Sequence, residues 1–428
     1  MNKKLLKSTF ILLSGGFLTK LLGMLIRIMM SRNIGIEGLS LYSLILPTFS
    51  LCITLGQIGL PITLSRLVAL NNKNNKNLYY SILPITFLIN ILLMILILIL
   101  SNYIGNTLLH SKEASDIIKA IAFVIPFTTL SSICRSYFFG KERMFPHVLS
   151  NIIENIIRLM IIMIIIPKLN YLNTKDLVFF IVISNIISEG ISTIILYLFL
   201  PNKINIKNIS YEKKLLKETF QLSIPNISGS IIGNISYFLE PILITTILTN
   251  IGLSTNYIIR EYGIINSYIL PFLMIPSFFS IAISQAILPY LSRLYQERNY
   301  KKIKQQLTKI IIFLSIFGVM MTIILELKGD FLLKLLYKNS LGYNYLKILS
   351  PIFILYYLEH PLVFTIQAMG KTKDLFRLSI LNLITKITCY LLLSILFPNI
   401  LMYIGTIIVN IIITIFYLVF TIRQKLRQ

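Results

Sequence analysis

Twelve runs of about 20 mostly apolar residues, separated by short polar stretches, restrict this chain more than any other feature. Each is long enough to cross roughly 30 Å of hydrocarbon as a helix. Their approximate spans are 8 to 30, 39 to 60, 79 to 101, 116 to 139, 148 to 167, 177 to 200, 219 to 249, 264 to 290, 304 to 326, 346 to 368, 375 to 397 and 399 to 422. Continuous runs such as ILLMILILIL at 91–100 exclude a transmembrane barrel, whose strands alternate in polarity and are half as long. The expectation is an all-α membrane protein. Composition agrees: 56% of the 428 residues are hydrophobic and 13% charged, too few polar side chains to coat a water-soluble globule of this size. Lys3, Lys4 and Lys7 precede the first run as in a secretory signal, but Lys20 interrupts it and no small-residue cleavage site follows, so a retained helix is expected. Cys52, Cys134 and Cys389 all fall in apolar runs, and an odd, scattered set of three reads as small core residues rather than a disulfide framework.

Basic residues set the expected orientation. With the N-terminus inside, the cytoplasmic loops and helix ends hold most of the 40 Lys and Arg, including KINIKNISYEKKLLK (203–217) and RLYQERNYKKIK (293–304). The opposite side holds a smaller set that includes Arg32, Lys112, Lys168, Lys175 and Arg260. This bias places both termini in the cytoplasm. It also spreads the net charge of +24 over separate cytoplasmic segments instead of one domain, which argues against nucleic-acid binding.

The chain repeats itself weakly. LKSTF at 6–10 followed by Gly23 returns as LKETF at 216–220 followed by Gly233, and LPITLSRL at 60–67 returns as LPYLSRL at 288–294. Gly140-Lys141, ahead of NIIENIIRL, returns as Gly370-Lys371 ahead of LNLITKITC. Three matches in one order predict two six-helix lobes, 1–200 and 218–428, joined by a cytoplasmic linker at 201–217. An even number of helices per lobe implies a pseudo-two-fold along the membrane normal, with a substrate cavity between the lobes.

Within the apolar runs, the ionisable residues are the candidate functional groups. Lys20 lies about 18 Å along the first span at 1.5 Å per residue, close to the midplane. There a charge costs roughly 2.5 to 3.5 kcal/mol. Gly16, Lys20, Gly23 and Arg27 recur at spacings of 4, 3 and 4 and share one helix face. That face has two readings: a cationic wall of a cavity, or a snorkelling Arg27 with Lys20 paired to a buried acid. Glu154 and Arg158 are spaced i,i+4 and read as an intrahelical ion pair. Glu189, Glu240, Glu359, His360 and Lys386 sit near the centres of later spans, as coupling groups or structural pairs, with Glu359-His360 one form of proton relay. Pro225, Pro271 and Pro276 can kink the seventh and eighth spans. There is no GxxxxGK[ST], HExxH or CxxC motif and no soluble domain large enough for an active site. No enzyme, cofactor or metal site is expected; a carrier of this type draws on an ion gradient, the membrane potential or its substrate's gradient.

GGFLTKLLGMLIRIMMSRNIGIEGLSLYSLILPTF at 15–49, QIGLPITLSRLVA at 57–69 and SSICRSYFFGKERM at 131–144 with NIIENIIRL behind it closely resemble the stage V sporulation protein B family. That family belongs to the multidrug, oligosaccharidyl-lipid and polysaccharide exporter superfamily. The resemblance implies a two-lobed exporter in a bacterial cell membrane, working in peptidoglycan, polysaccharide or spore-envelope synthesis. It implies a flippase that moves lipid II or another polyprenyl-diphosphate-linked sugar to the outer leaflet by alternating access, with envelope-synthesis proteins and membrane lipid as partners. Positions matching the basic cavity residues of the related lipid II flippases are Lys20, Arg27, Arg66 and Arg293. A diphosphate headgroup suits Lys and Arg in a low-dielectric cavity. The alternatives are a cation-coupled multidrug exporter on the same fold, served by Glu240 and Glu359, and a non-transporting scaffold for envelope assembly. Family members often carry two helices more than the twelve read here.

Overall fold

The computed structural model describes residues 3–70, 75–169, 171–200 and 213–426, and among these it is helical with no strand. The helices are α1 Lys3–Gln57, α2 Leu60–Leu70, α3 Asn75–Asn102, α4 Lys112–Gly140, α5 Met144–Met160, α6 Thr174–Ile183, α7 Asn185–Leu198, α8 Lys213–Asn250, α9 Thr255–Ile264, α10 Leu270–Met274, α11 Ser277–Gln296, α12 Tyr300–Tyr337, α13 Tyr343–Ala368, α14 Thr372–Leu396 and α15 Leu401–Lys425. Apolar side chains all round most of these helices are what a segment in hydrocarbon requires, because every backbone N–H and C=O must be satisfied within the helix.

Ten of the described helical segments are long and apolar enough to cross a membrane, or eleven when one bent pair is taken as a single span. The expected twelve is not reproduced as a count, because the first two spans run together in one stretch, Ser14–Ala69, of 56 residues. At 1.5 Å per residue that stretch is about 84 Å long, far more than one crossing needs. Gly35 interrupts it with φ 65° and ψ −170°, in the gap between the first two expected spans. The bent pair is the expected eighth span. A π-helical turn at Ile265–Ile269 precedes Pro271, and beyond it Thr255–Met274 and Ser277–Gln296 meet at 49° around Pro276. Proline lacks the N–H that would continue the ladder, so the expected kink is present here.

The chain packs as two units, Met1–Phe238 and Leu239–Gln428, with α8 running across the division. The expected linker, 201–217, lies outside the described residues apart from the helical backbone that starts at Lys213. In the first unit α4 is the central helix, with 67% of its most apolar window buried, against 22% for the peripheral α3. Leu60, Leu64 and Val68 of α2 pack on Ile133, Cys134, Tyr137 and Phe138 of α4 and Leu196 of α7. In the second unit Leu291 and Leu294 of α11 join Ile303, Leu307, Leu362, Ile366, Leu378 and Leu418. The two LSRL segments are therefore used alike: Leu64 and Leu291 are buried while Arg66 and Arg293, two residues on, are exposed.

Helix α1 stops because Ile58 and Gly59 both take left-handed backbone, φ 45° and 67°. Gly59 also needs its missing side chain: a Cβ there would stand 2.9 Å from the Ser223 carbonyl oxygen and 3.1 Å from Ile227 Cβ of α8. Gly59→Ala is expected to lose about 1 to 3 kcal/mol of stability, whereas Gly233→Ala, where a Cβ meets nothing within 4 Å, should be close to neutral. Thermal unfolding of the two variants in detergent checks this; equal melting would contradict it.

Candidate functional site

Charges inside the apolar segments fall into two classes, those locked in ionic clusters and those left open. The first cluster ties α4, α5 and α7 together. Arg135 Nη2 of α4 donates to Glu154 Oε2 of α5, to Ser192 Oγ of α7 at 2.7 Å and to Glu189 Oε2 of α7 at 3.4 Å. Arg158 Nη2 donates to Glu154 Oε1 at 2.9 Å, one turn away, so the expected intrahelical pair exists but is one edge of a larger group. Ser131 Oγ donates to Glu189 Oε2. Two guanidinium groups thus face two carboxylates whose side chains are only 9% and 8% exposed. The net charge of the group is zero, which is how buried ions are tolerated. Sequence reasoning did not single out Arg135, although it lies inside the SSICRSYFFG stretch that carries the family likeness.

The second cluster lies in the second unit. Lys386 Nζ of α14 donates to Glu240 Oε2 of α8 at 2.8 Å, and Tyr403 Oη of α15 donates to Glu240 Oε1 at 2.8 Å and to Asn266 Oδ1 at 3.1 Å. The Tyr403 ring lies 5.4 Å from Tyr262 and 6.5 Å from Tyr390, centroid to centroid, closing the pair into an aromatic surround. Glu240 and Lys386, named separately as candidates, are one ion pair.

The open class contains Lys20 and Glu359. Lys20 is exposed and, among the described residues, pairs with no carboxylate. Gly16 and Gly23, on the same face, would find nothing within 4 Å of an added Cβ. Glu154, Glu189 and Glu240 are engaged by Arg135, Arg158 and Lys386. Arg27, seven residues on, is half-buried, and Arg66 and Arg293 are exposed at the ends of α2 and α11, away from mid-span. Glu359 of α13 is half-buried, and no Lys or Arg among the described residues pairs with it. Its neighbour His360 packs edge-on against Tyr356, ring centroids 5.7 Å apart. Among the described residues no group of three or more His, Cys, Asp or Glu is placed to hold a metal ion.

Such a multi-pass helical bundle, with neutralised ionic clusters inside it, is built as a membrane carrier. The family model described as polysaccharide biosynthesis protein matches residues 5–295, and the chain belongs to that family. A second model, MatE, matches residues 241–392. The chain is 28% identical to stage V sporulation protein B of Bacillus subtilis (strain 168) over 377 residues, which cover 85% of this chain and 73% of that protein. It is 20% identical to the lipid II flippase MurJ of the same organism, over 72% of this chain and 61% of that protein. An inward-facing multidrug-resistance MATE transporter of the MOP superfamily superposes with a TM-score of 0.77 at 13% identity, covering 96% of this chain and 94% of that one. The inward closed conformation of lipid II flippase MurJ gives 0.73 at 16% identity, covering 96% and 87%. The fold is that of the multidrug, oligosaccharidyl-lipid and polysaccharide exporter superfamily, and the protein is a membrane flippase or exporter, not an enzyme.

Proposed function

We propose that the chain flips a polyprenyl-diphosphate-linked sugar, a lipid II-like peptidoglycan precursor or a polysaccharide unit, from the inner to the outer leaflet by alternating access. The observation that supports this is Lys20: a cation inside the first apolar helix, exposed, on a glycine-bearing face, with no acid among the described residues paired to it. A diphosphate supplies the missing negative charge through charge-assisted hydrogen bonds. Arg27 extends the same face, and Arg66 and Arg293, exposed in matching LSRL segments, receive the headgroup nearer the cytoplasm. In this reading the lobes are 1–200 and 218–428, joined by 201–217 and related by a pseudo-two-fold, with both termini cytoplasmic. The polyprenyl tail stays in lipid while the head passes through, and envelope-synthesis proteins supply and consume the cargo. Purified protein in proteoliposomes should bring lipid-linked sugar to the outer leaflet; absence of transport above empty vesicles sinks the proposal.

Glu359 is the acid available for coupling, because the other three mid-span carboxylates are held by Arg or Lys. Glu359→Gln is expected to abolish the response of transport to an imposed pH gradient while leaving downhill exchange in place. Proteoliposomes with and without the gradient measure this, and an unchanged response removes Glu359 from coupling. The same residue favours the second reading, a cation-coupled drug exporter, for which an open acid is the needed feature. Glu240, the other acid named for it, is bonded to Lys386 and Tyr403.

A further inference from the structure

The exposed face of α12 changes character at one point along the helix. Its exposed apolar residues Ile312, Ile316, Met320, Ile323 and Leu327 recur every three or four positions and form one stripe. The helix is long and apolar enough to cross a membrane, and only 22% of its most apolar window is buried, so hydrocarbon covers that stripe. Continued toward the start of the helix, the same spacing lands on Lys309, Gln305 and Lys302, with Lys301 beside the last of them, and all four are exposed. The opposite face cannot take their place: Ile303, Leu307, Ile310 and Leu314 are buried, the first two in the core that also holds Leu291 and Leu294 of α11. At 1.5 Å per residue Lys309 stands about 5 Å beyond Ile312 along the axis and Lys302 about 15 Å beyond it. Lysine stems let the lower ammonium groups reach back to the membrane interface. No Asp or Glu occurs between Glu297 and Glu326, and no carboxylate among the described residues pairs with Lys301, Lys302 or Lys309.

We propose that Lys301, Lys302 and Lys309 bind the headgroup of an anionic phospholipid whose chains lie along the stripe from Ile312 to Leu327. Charge and place together select this ligand. Ammonium groups give charge-assisted hydrogen bonds to phosphate oxygens, and Gln305, between Lys302 and Lys309, adds an amide donor. A basic cluster directly beyond an apolar span favours anionic lipid by about fivefold per lysine. A signal for orientation alone needs positive charge on one side of the membrane, at any angle around the helix; these lysines share the angle of the hydrocarbon-covered stripe. A soluble anion would use the lysines and leave the stripe aside, whereas a lipid uses both. The end of the helix is not the site, since the Asn299 side chain already accepts from the Lys302 backbone N–H at 3.2 Å. In the proposed orientation the lipid belongs to the inner leaflet, and its binding needs neither Lys20 nor any cargo.

The chain contains no tryptophan, so Ile312→Trp, at an exposed position of the stripe, supplies a single fluorescent reporter of the lipid lying there. Full-length protein carrying it is placed in phosphatidylcholine vesicles, and quenching by phosphatidylglycerol with brominated chains is compared with quenching by phosphatidylcholine brominated in the same way. Phosphatidylglycerol should be preferred by about fivefold or more. The preference should vanish when Lys301→Gln, Lys302→Gln and Lys309→Gln are added. Raising salt from about 0.1 M to 1 M, which shortens the screening length from about 10 Å to 3 Å, should also reduce it in the protein that keeps the lysines. That arm decides the question even where the triple variant does not fold. Equal affinity for the two lipids, or a preference that survives the lysine substitutions or high salt, overturns the site. Millimolar inorganic phosphate should leave the preference in place; its loss would show that the lysines take a soluble phosphate instead of a lipid headgroup.

Discussion

Lys20→Leu is expected to abolish flipping while leaving insertion and folding at least as good as in the wild type. Removing a central charge lowers the insertion cost by a few kcal/mol, and no carboxylate among the described residues loses a partner. Lys20→Arg should keep part of the activity, since the charge survives with altered geometry, and Lys20→Glu should be worst, since it places a like charge before the phosphates. Arg27→Leu is expected to abolish flipping as well. The readout is outer-leaflet appearance of lipid-linked sugar in proteoliposomes, normalised to folded protein. Transport at the wild-type rate by Lys20→Leu ends the cationic-wall assignment, and loss of folding in that variant restores the structural reading of Lys20.

Arg135→Leu should have the largest effect on stability. It leaves two carboxylates, Glu154 and Glu189, facing a single guanidinium, Arg158, which donates only to Glu154. Breaking a buried pair by removing one partner costs about 3 to 5 kcal/mol, much of it the stranded charge. Combining Arg135→Leu with Glu189→Leu should therefore recover most of the loss. Arg158→Leu should cost less, because its side chain is 24% exposed against 16% for Arg135 and Glu154 keeps the Arg135 bond. Thermal unfolding of the four proteins in one detergent checks the order. Equal melting of Arg135→Leu and wild type would mean that the cluster does not hold α4, α5 and α7 together.

Span positions were legible because hydrocarbon demands a fixed length of apolar helix, and that demand is written locally. Gly35 breaks the chain where the apolar runs pause, and Ile58 and Gly59 break it near the end of the second run. The count differed because the first two spans meet at a kink at Gly35 with no loop between them. Charged partners were legible only at helical spacing. Glu154 and Arg158 are one turn apart and were paired from sequence, but Arg135 reaches Glu154 and Glu189 across 19 and 54 residues, and Lys386 reaches Glu240 across 146. Only packing brings those together. The repeat shows the same limit. Gly140 and Gly370 both stand at helix ends before a short turn, yet a Cβ on Gly140 would strike the Ser65 carbonyl at 2.5 Å, while Gly370 meets nothing and is required for its φ of 69°. One letter in two matching places meets two different needs.

The most direct test of the central assignment is native mass spectrometry of the protein purified in mild detergent, with the bound species released and fragmented. Expected is a co-purifying lipid whose fragments contain a diphosphate and a sugar, retained by wild type and lost from Lys20→Leu. An organic cation in its place, or a wild-type protein carrying no lipid-linked sugar under conditions where the lipid is abundant, would contradict the flippase assignment.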